Sequence, residues 1–398
     1  MDDKSSDFLS LSACSQWIYA KLNMKKLFII ICLILPIIQL EAQTFQNFAS
    51  SYKKLNDTHE GELNFRFESL GFFQNNEYLG NFVDGYTLTG AMMRPKLSYS
   101  PFAGLYLEAG ANLVKYNGRD QIANALPWYS ARYRFSEHFS VVTGNLDQNN
   151  LHNLPEQLWE PERTYTDKPE AGLQFLYSGI KLNAQTWVSW EQFIRKNDPY
   201  QEHFTFGLTG DLKAVENAAL TVKLPVNLLF YHQGGEININ PNGPRPRVQT
   251  HANALVGWEL AMNIGEQIKT INLNGYWLGY KAVTADTNTK PFGKGHAYLF
   301  EASAQTKNSH FSLSYWNAFQ FIAPKGRLLY LSVSDSDPTF TQPDRSMLSA
   351  KYFWQKNIAK DARVAFQIEA FRDISSGDFS YSYGFFLLLN SDFLLKMF

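Results

Sequence analysis

Carboxylates crowd one stretch of this 398-residue chain: Asp147, Glu156, Glu160, Glu162, Asp167 and Glu170, with His152 among them. One chemistry open to such a run is metal binding. Zinc and calcium need several convergent ligands, however, and no HxxxH or paired-carboxylate spacing appears. No metal and no cofactor are therefore expected. A second possibility is electrostatic, because acids that face bases set up a local field across the space between them. Nucleophilic chemistry has thinner support. There is no GxSxG and no glycine-rich phosphate loop, and the near Ser–His pairing is His296 with Ser312 or Ser314. Their inferred faces disagree, so the chain is not expected to be an enzyme.

Whether any of these groups meet depends on the elements that carry them. The chain is 45% hydrophobic, 15% aromatic and 18% charged, with a mean hydropathy of -0.29. It is too apolar for a disordered chain and too polar on average for a bundle of membrane helices. A formal net charge of -1 argues against a nucleic-acid partner, since phosphate contacts need a basic excess. Soluble all-β proteins and membrane β-barrels are left.

Met24-Lys25-Lys26 followed by the apolar run Leu27 to Leu40 reads as a signal peptide, too short to span a bilayer as a helix. Residues 1–42 are assigned as leader and signal, with translation starting at Met24 and cleavage after Ala42. Both cysteines, Cys14 and Cys32, fall within that segment, so the mature chain has no thiol. Residues 43–60 form a polar lead segment, periplasmic or inserted into a lumen, and residues 61–398 the main domain.

From residue 61 onward apolar and polar residues alternate in runs of about ten, the period-2 pattern of strands. Leu220, Val222, Leu224, Val226, Leu228 and Phe230 are one such series; Phe379, Tyr381, Tyr383, Phe385, Leu387 and Leu389 are another. About 16 runs are discernible, with 14 or 18 as alternatives. Their connections alternate between short and long, the long ones falling near residues 74–85, 117–126, 146–168, 193–201, 232–248, 281–295 and 322–345. A soluble sandwich gives no reason for that rhythm. A transmembrane antiparallel up-and-down β-barrel does, with short turns on one side and long loops on the other.

With its signal, its alternating strands and a terminal Phe398, the chain resembles the porin-like outer-membrane β-barrels of Gram-negative bacteria. In that family the terminal aromatic is read by the barrel-assembly machinery. Here Asp392 and Lys396 share its parity and break the alternation, so a bulge or a tail is expected after Leu389. The resemblance implies an outer-membrane site, contact with outer-membrane lipids and lipopolysaccharide, and room for assembly as a homo-oligomer.

Lipid must see the apolar face, because Arg or Lys at the midplane costs about 2–4 kcal/mol. That rule sends Arg66, Arg94, Lys96, Arg132 and Arg134 inward as a basic wall. The acids Asp147, Glu156, Glu160, Glu162 and Asp167 fall on the long loop that in general porins folds inward to face such a wall. Leu158 and Trp159, odd in a fully solvated loop, favour a loop tucked against the barrel. The function expected is a channel for passive or weakly selective diffusion of small hydrophilic solutes. A closed barrel with a structural, adhesive or assembly role is the alternative, and a lipid-acting enzyme the weaker third.

Overall fold

The computed structural model describes Phe48 and residues 60–147, 152–196, 198, 200–234, 247–284 and 288–398. The signal segment 1–42 and its cleavage site lie outside the described residues, as does the lead segment apart from Phe48 and Glu60. Residues 235–246 of the long connection near 232–248 also lie outside them.

β1 (Glu62–Glu77) pairs antiparallel with β2 (Tyr86–Tyr99) on one side and with the last strand, β16 (Phe379–Met397), on the other. The wall continues through β3 (Leu105–Tyr116), β4 (Asn124–Arg134), β5 (Phe139–Asn145), β6 (Ala171–Ser178), β7 (Leu182–Gln192) and β8 (Glu202–Glu216). It is completed by β9 (Leu220–Gly234), β10 (Gln249–Asn263), β11 (Thr270–Ala282), β12 (Lys294–Gln305), β13 (Ser309–Phe319), β14 (Asp344–Ala359) and β15 (Ala362–Asp373). Strands pair in chain order and close into one 16-stranded barrel. Closure leaves no open sheet edge, as hydrocarbon requires.

Alternation decides which residues face lipid. Along β16, Ser380, Ser382, Phe386 and Leu388 are buried, while Phe379, Tyr381, Phe385 and Leu387 are exposed. Leu224, Val226 and Leu228 of β9 are likewise exposed on the outer surface. The expected irregularity near the end of the chain is a bulge. Asn64 sits opposite Leu394 but Leu63 opposite Lys396, so Leu395 is the extra residue. One inserted residue flips every later side chain to the other face. Asp392 therefore meets Arg66, whereas Phe398 packs its ring 5.6 Å from Tyr99.

The lumen is occupied in its outer half. Residues 146–147 and 152–170 of one loop and 320–343 of another fold inward, burying Leu146, Leu154, Leu158 and Trp159 of the first against Phe321, Leu329 and Tyr330 of the second and Trp187 and Trp316 of the wall. Full burial of a leucine is worth about 1.5–3 kcal/mol, which explains apolar residues in a nominal surface loop. A second cluster lies lower, where Phe48 packs 5.9 Å from Phe353 and the Phe72 and Tyr165 rings stack at 4.5 Å.

Candidate functional site

Most of the predicted basic wall is paired within the wall itself, and it meets the acidic loop at Arg132 and Asp147. Arg66 pairs with Glu68 at 3.1 Å and Glu108 at 3.0 Å, and Lys96 pairs with Glu68 at 2.8 Å and Glu108 at 3.4 Å. Trp128 donates to Glu108 at 3.2 Å and lies beneath the Arg94 and Lys96 cations at 4.9 and 4.6 Å. Arg94 also donates to Asn112 at 2.7 Å. These contacts tie β1, β2, β3 and β4 together within the wall. Arg134 is the last residue of β4, at the short-turn end. Arg132 reaches the loop, pairing with Asp147 at 2.7 Å.

The other loop acids sit nearer the long-loop end and have different partners. Glu162 accepts hydrogen bonds from Gln74 at 2.6 Å, Asn76 at 2.9 Å and Tyr86 at 2.7 Å. Asp167 pairs with Arg163 one helical turn back, across α1 (Arg163–Thr166). Glu156 is bound by Lys351, by the Tyr330 hydroxyl and by Arg327 at 2.9 Å.

Arg327 is the centre of the cluster. It also donates to Glu369 at 2.7 and 3.1 Å and to the Tyr78 hydroxyl at 2.9 Å, and its Nε lies 3.8 Å from Glu160. Sequence reasoning passed over it, because it lies in a distant loop with no motif around it. The available signal was the Leu328-Leu329-Tyr330-Leu331 run beside it, as apolar for a loop as Leu158-Trp159. The two loops touch backbone to backbone: the Arg327 amide donates to Glu156 and the Glu160 amide to Lys325, each at 2.8 Å. Gly326 permits this approach, since a Cβ there would lie 2.1 Å from the Gln157 carbonyl.

Burial pushes the Glu160 carboxyl well above the usual carboxylate range; Arg327 opposes the shift, while neighbouring Glu162, Glu156 and Glu369 add to it. Burial likewise raises Glu162. Glu156 is held below the usual range despite its burial, because Lys351 and Arg327 oppose it. Glu160 keeps 17% of its side-chain surface open. A reachable carboxyl with a raised pKa, beside a guanidinium and tyrosine hydroxyls, can pass a proton and stabilise developing negative charge.

His152 is a fixture of a different kind. Its ring stacks on Trp187 at 3.8 Å, and its two nitrogens meet Glu170 at 2.8 Å and Gln185 at 3.1 Å. Burial alone would lower its pKa, but Glu170 more than offsets that and raises it. Both nitrogens facing acceptor oxygens describe a protonated clamp rather than a base. His296 pairs in register with Phe319 on the outer face, whereas Ser312 and Ser314 are buried on the inner one. Among the described residues, no group of three or more His, Cys, Asp or Glu side chains is arranged to hold a metal ion.

A closed barrel with an apolar exterior, a polar inner wall and long loops at one end defines a porin-like outer-membrane β-barrel, and the outer membrane is where this chain resides. Solved structures with the same fold include OpdL of Pseudomonas aeruginosa, at 12% identity and a TM-score of 0.51 over 83% of this chain and 99% of that one. OccK8 (OprE) of the same organism matches at 10% identity and a TM-score of 0.50, covering 84% and 99%. No curated protein matches. Residues 55–398 match the family model described as Lipid A 3'-O-deacylase-type, and the chain belongs to that family. Membership in a deacylase family overturns the expectation that the chain is not an enzyme. That expectation rested on motifs contiguous in sequence or on adjacent strands, whereas the polar cluster here is assembled by two loops and several strands.

Proposed function

We propose that this protein is an outer-membrane hydrolase that removes an ester-linked acyl chain from lipid A. The observation that carries the reading is the buried cluster Glu160–Arg327–Tyr78–Glu162–Tyr86, built where two inward-folded loops meet the barrel wall. In this reading Glu160 takes a proton from water as water attacks the ester carbonyl, and later returns it to the departing alkoxide. Arg327 and the Tyr78 hydroxyl stabilise the oxyanion of the tetrahedral intermediate. The family supplies the substrate class, and the cluster supplies an acid–base group with a cation beside it. The test is mass spectrometry of lipid A incubated with the refolded protein in detergent. Loss of one hydroxyacyl chain by the wild type but not by Glu160→Gln supports the proposal. Lipid A of unchanged mass, with the barrel shown to be folded, overturns it.

The diffusion-channel reading draws on the charged inner side of the wall, where Arg66, Lys96, Glu68 and Glu108 pair with one another below the loops. Discrete conductance steps in planar bilayers would favour it. Silence across many insertions would count against it.

A further inference from the structure

The ring is closed, but its wall is not of one height. β5 has seven residues and β6 eight, between β4 and β7 of eleven each. Tilted by about 45°, eleven residues rise about 26 Å, enough for an apolar belt about 25 Å tall. Seven rise only about 17 Å. β4 meets β5 from Arg134 to Ser130, and β6 meets β7 from Ser178 to Gly172. Beyond those pairs, Asn124–Tyr129 of β4 and Trp190–Gln192 of β7 continue toward the long-loop end. Among the described residues no strand lies between them there. The missing stretch is about 14 Å wide, three interstrand spacings, and it lies in the half of the wall that faces the outer leaflet.

The edges of this step are finished. An unmet amide in hydrocarbon costs several kcal/mol, so an edge left there must be managed. Tyr129 turns its amide toward β5, and the Asn145 side-chain carbonyl accepts it at 2.9 Å. The next amide on that edge would belong to residue 127, which is proline and has none. At the other side of the hairpin the Ala171 amide donates to the Ser189 hydroxyl at 3.3 Å. The ladder ends with the Leu146 amide donating to Glu170 at 3.0 Å. There the chain turns inward, and the Asp147 amide donates to Gln174 at 2.9 Å. An edge without its donor is a poor template for a foreign strand, which leaves lipid as the neighbour at this depth. On the lumen side of the sill, Leu146 and Trp187 already belong to the apolar cluster that the two loops share.

We infer that the wall is open to the bilayer above the β5–β6 hairpin, and that an acyl chain of an outer-leaflet lipid enters the lumen sideways there. Its path runs over Leu146 toward the junction of the two loops. Passage onward to Glu160 and Arg327 rests on the hydrolase reading. The opening does not, because it follows from strand length, and a barrel that leaves lipid A intact can still admit the chain.

Leu126 reports on the opening, since it shares the inner face with Trp128 and stands in the stretch of β4 that lacks a partner on that side. No cysteine lies beyond Cys32, so Leu126→Cys can be labelled with bimane in a chain carrying Cys14→Ser and Cys32→Ser. The labelled barrel, folded by its heat-modifiable mobility, is placed in phospholipid vesicles bearing nitroxides along the acyl chains. Leu224→Cys, on the lipid face, sets full quenching. Ala297→Cys, buried on the inner face near the long-loop end of β12, sets the background. The label at 126 is expected to be quenched at least half as strongly as the one at 224. Asn124→Cys, inward by the same parity, gives a second position. Quenching at both no greater than at 297 overturns the inference, as when the bilayer thins to meet the short strands or a second copy of the barrel covers the gap.

Discussion

Arg327 holds together groups that repel one another. Glu156, Glu160 and Glu369 all lie within 3.8 Å of its guanidinium, and Lys351 shares the task of balancing Glu156 and Glu369. Arg327→Met should cost about 3–5 kcal/mol locally, since it strands buried carboxylates that lose their partner. Hydrogen exchange should then accelerate in residues 152–170 while strand amides stay protected. His152 gives a dependence on pH. Its folded pKa is raised, so its contribution is complete below the ordinary histidine value of about 6.5 and is lost as pH rises through the folded value. Loop 146–170 should become more sensitive to protease across that range on the alkaline side, and His152→Gln should remove the pH dependence. An unchanged profile in the variant would assign the transition to another group. At this scale the sequence was only partly legible. Inward charges on strands could be read from parity, as for Arg66 and Glu108. Their partners could not, because a pairing such as Arg327 with Glu369 depends on how a loop folds back.

At the scale of elements the strands were legible because a bilayer enforces period-2 patterning on each of them, β9 and β16 most plainly. The bulge at Leu395 left its trace as a parity break at Lys396. The fold of the loops was less so. Leu158 and Trp159 signalled burial of loop 146–170, and the Leu328-Leu329-Tyr330-Leu331 run offered the same signal for loop 320–343, but nothing local announced that the two would pack on each other. Gly326 is where the two depend on each other most narrowly. Gly326→Val should push the Gln157 carbonyl away and separate the loops, since the added Cβ has 2.1 Å where contact needs well over 3 Å. The expected result is loss of the proposed lipid A deacylation with the barrel still heat-modifiable on gels. Full activity in this variant would remove the loop junction from the site.

For the molecule as a whole, the decisive quantity is the match between an apolar belt and the bilayer. Leu224 is 39% exposed on the lipid face of β9, so Leu224→Arg should lower the unfolding free energy in lipid vesicles by up to about 2–4 kcal/mol, the value at the midplane. A neutral outcome would place that residue near an interface. Asn227, buried on the opposite face two strand positions beyond Pro225, should accept Ser with little change in stability. The class of protein was readable at this scale long before its chemistry. A membrane constrains every strand in the same way, whereas the interior cluster is made of a few contacts between distant parts of the chain.

The seam between β1 and β16 joins opposite ends of the barrel domain, with Glu62 opposite Met397 and the Phe65 and Phe393 rings stacked across it at 6.4 Å. Every other strand pair can zip soon after its second member emerges, but this one must wait for the final strand. Until then the wall carries two naked edges, each able to capture a foreign strand. Closure is therefore a single late event in the life of the molecule, with a long delay built in by contact order. A cysteine pair at the facing positions Ser69 and Leu389 would record it: cross-linking should appear only in the fraction that has completed the circle, and so time-stamp the moment the barrel becomes a barrel.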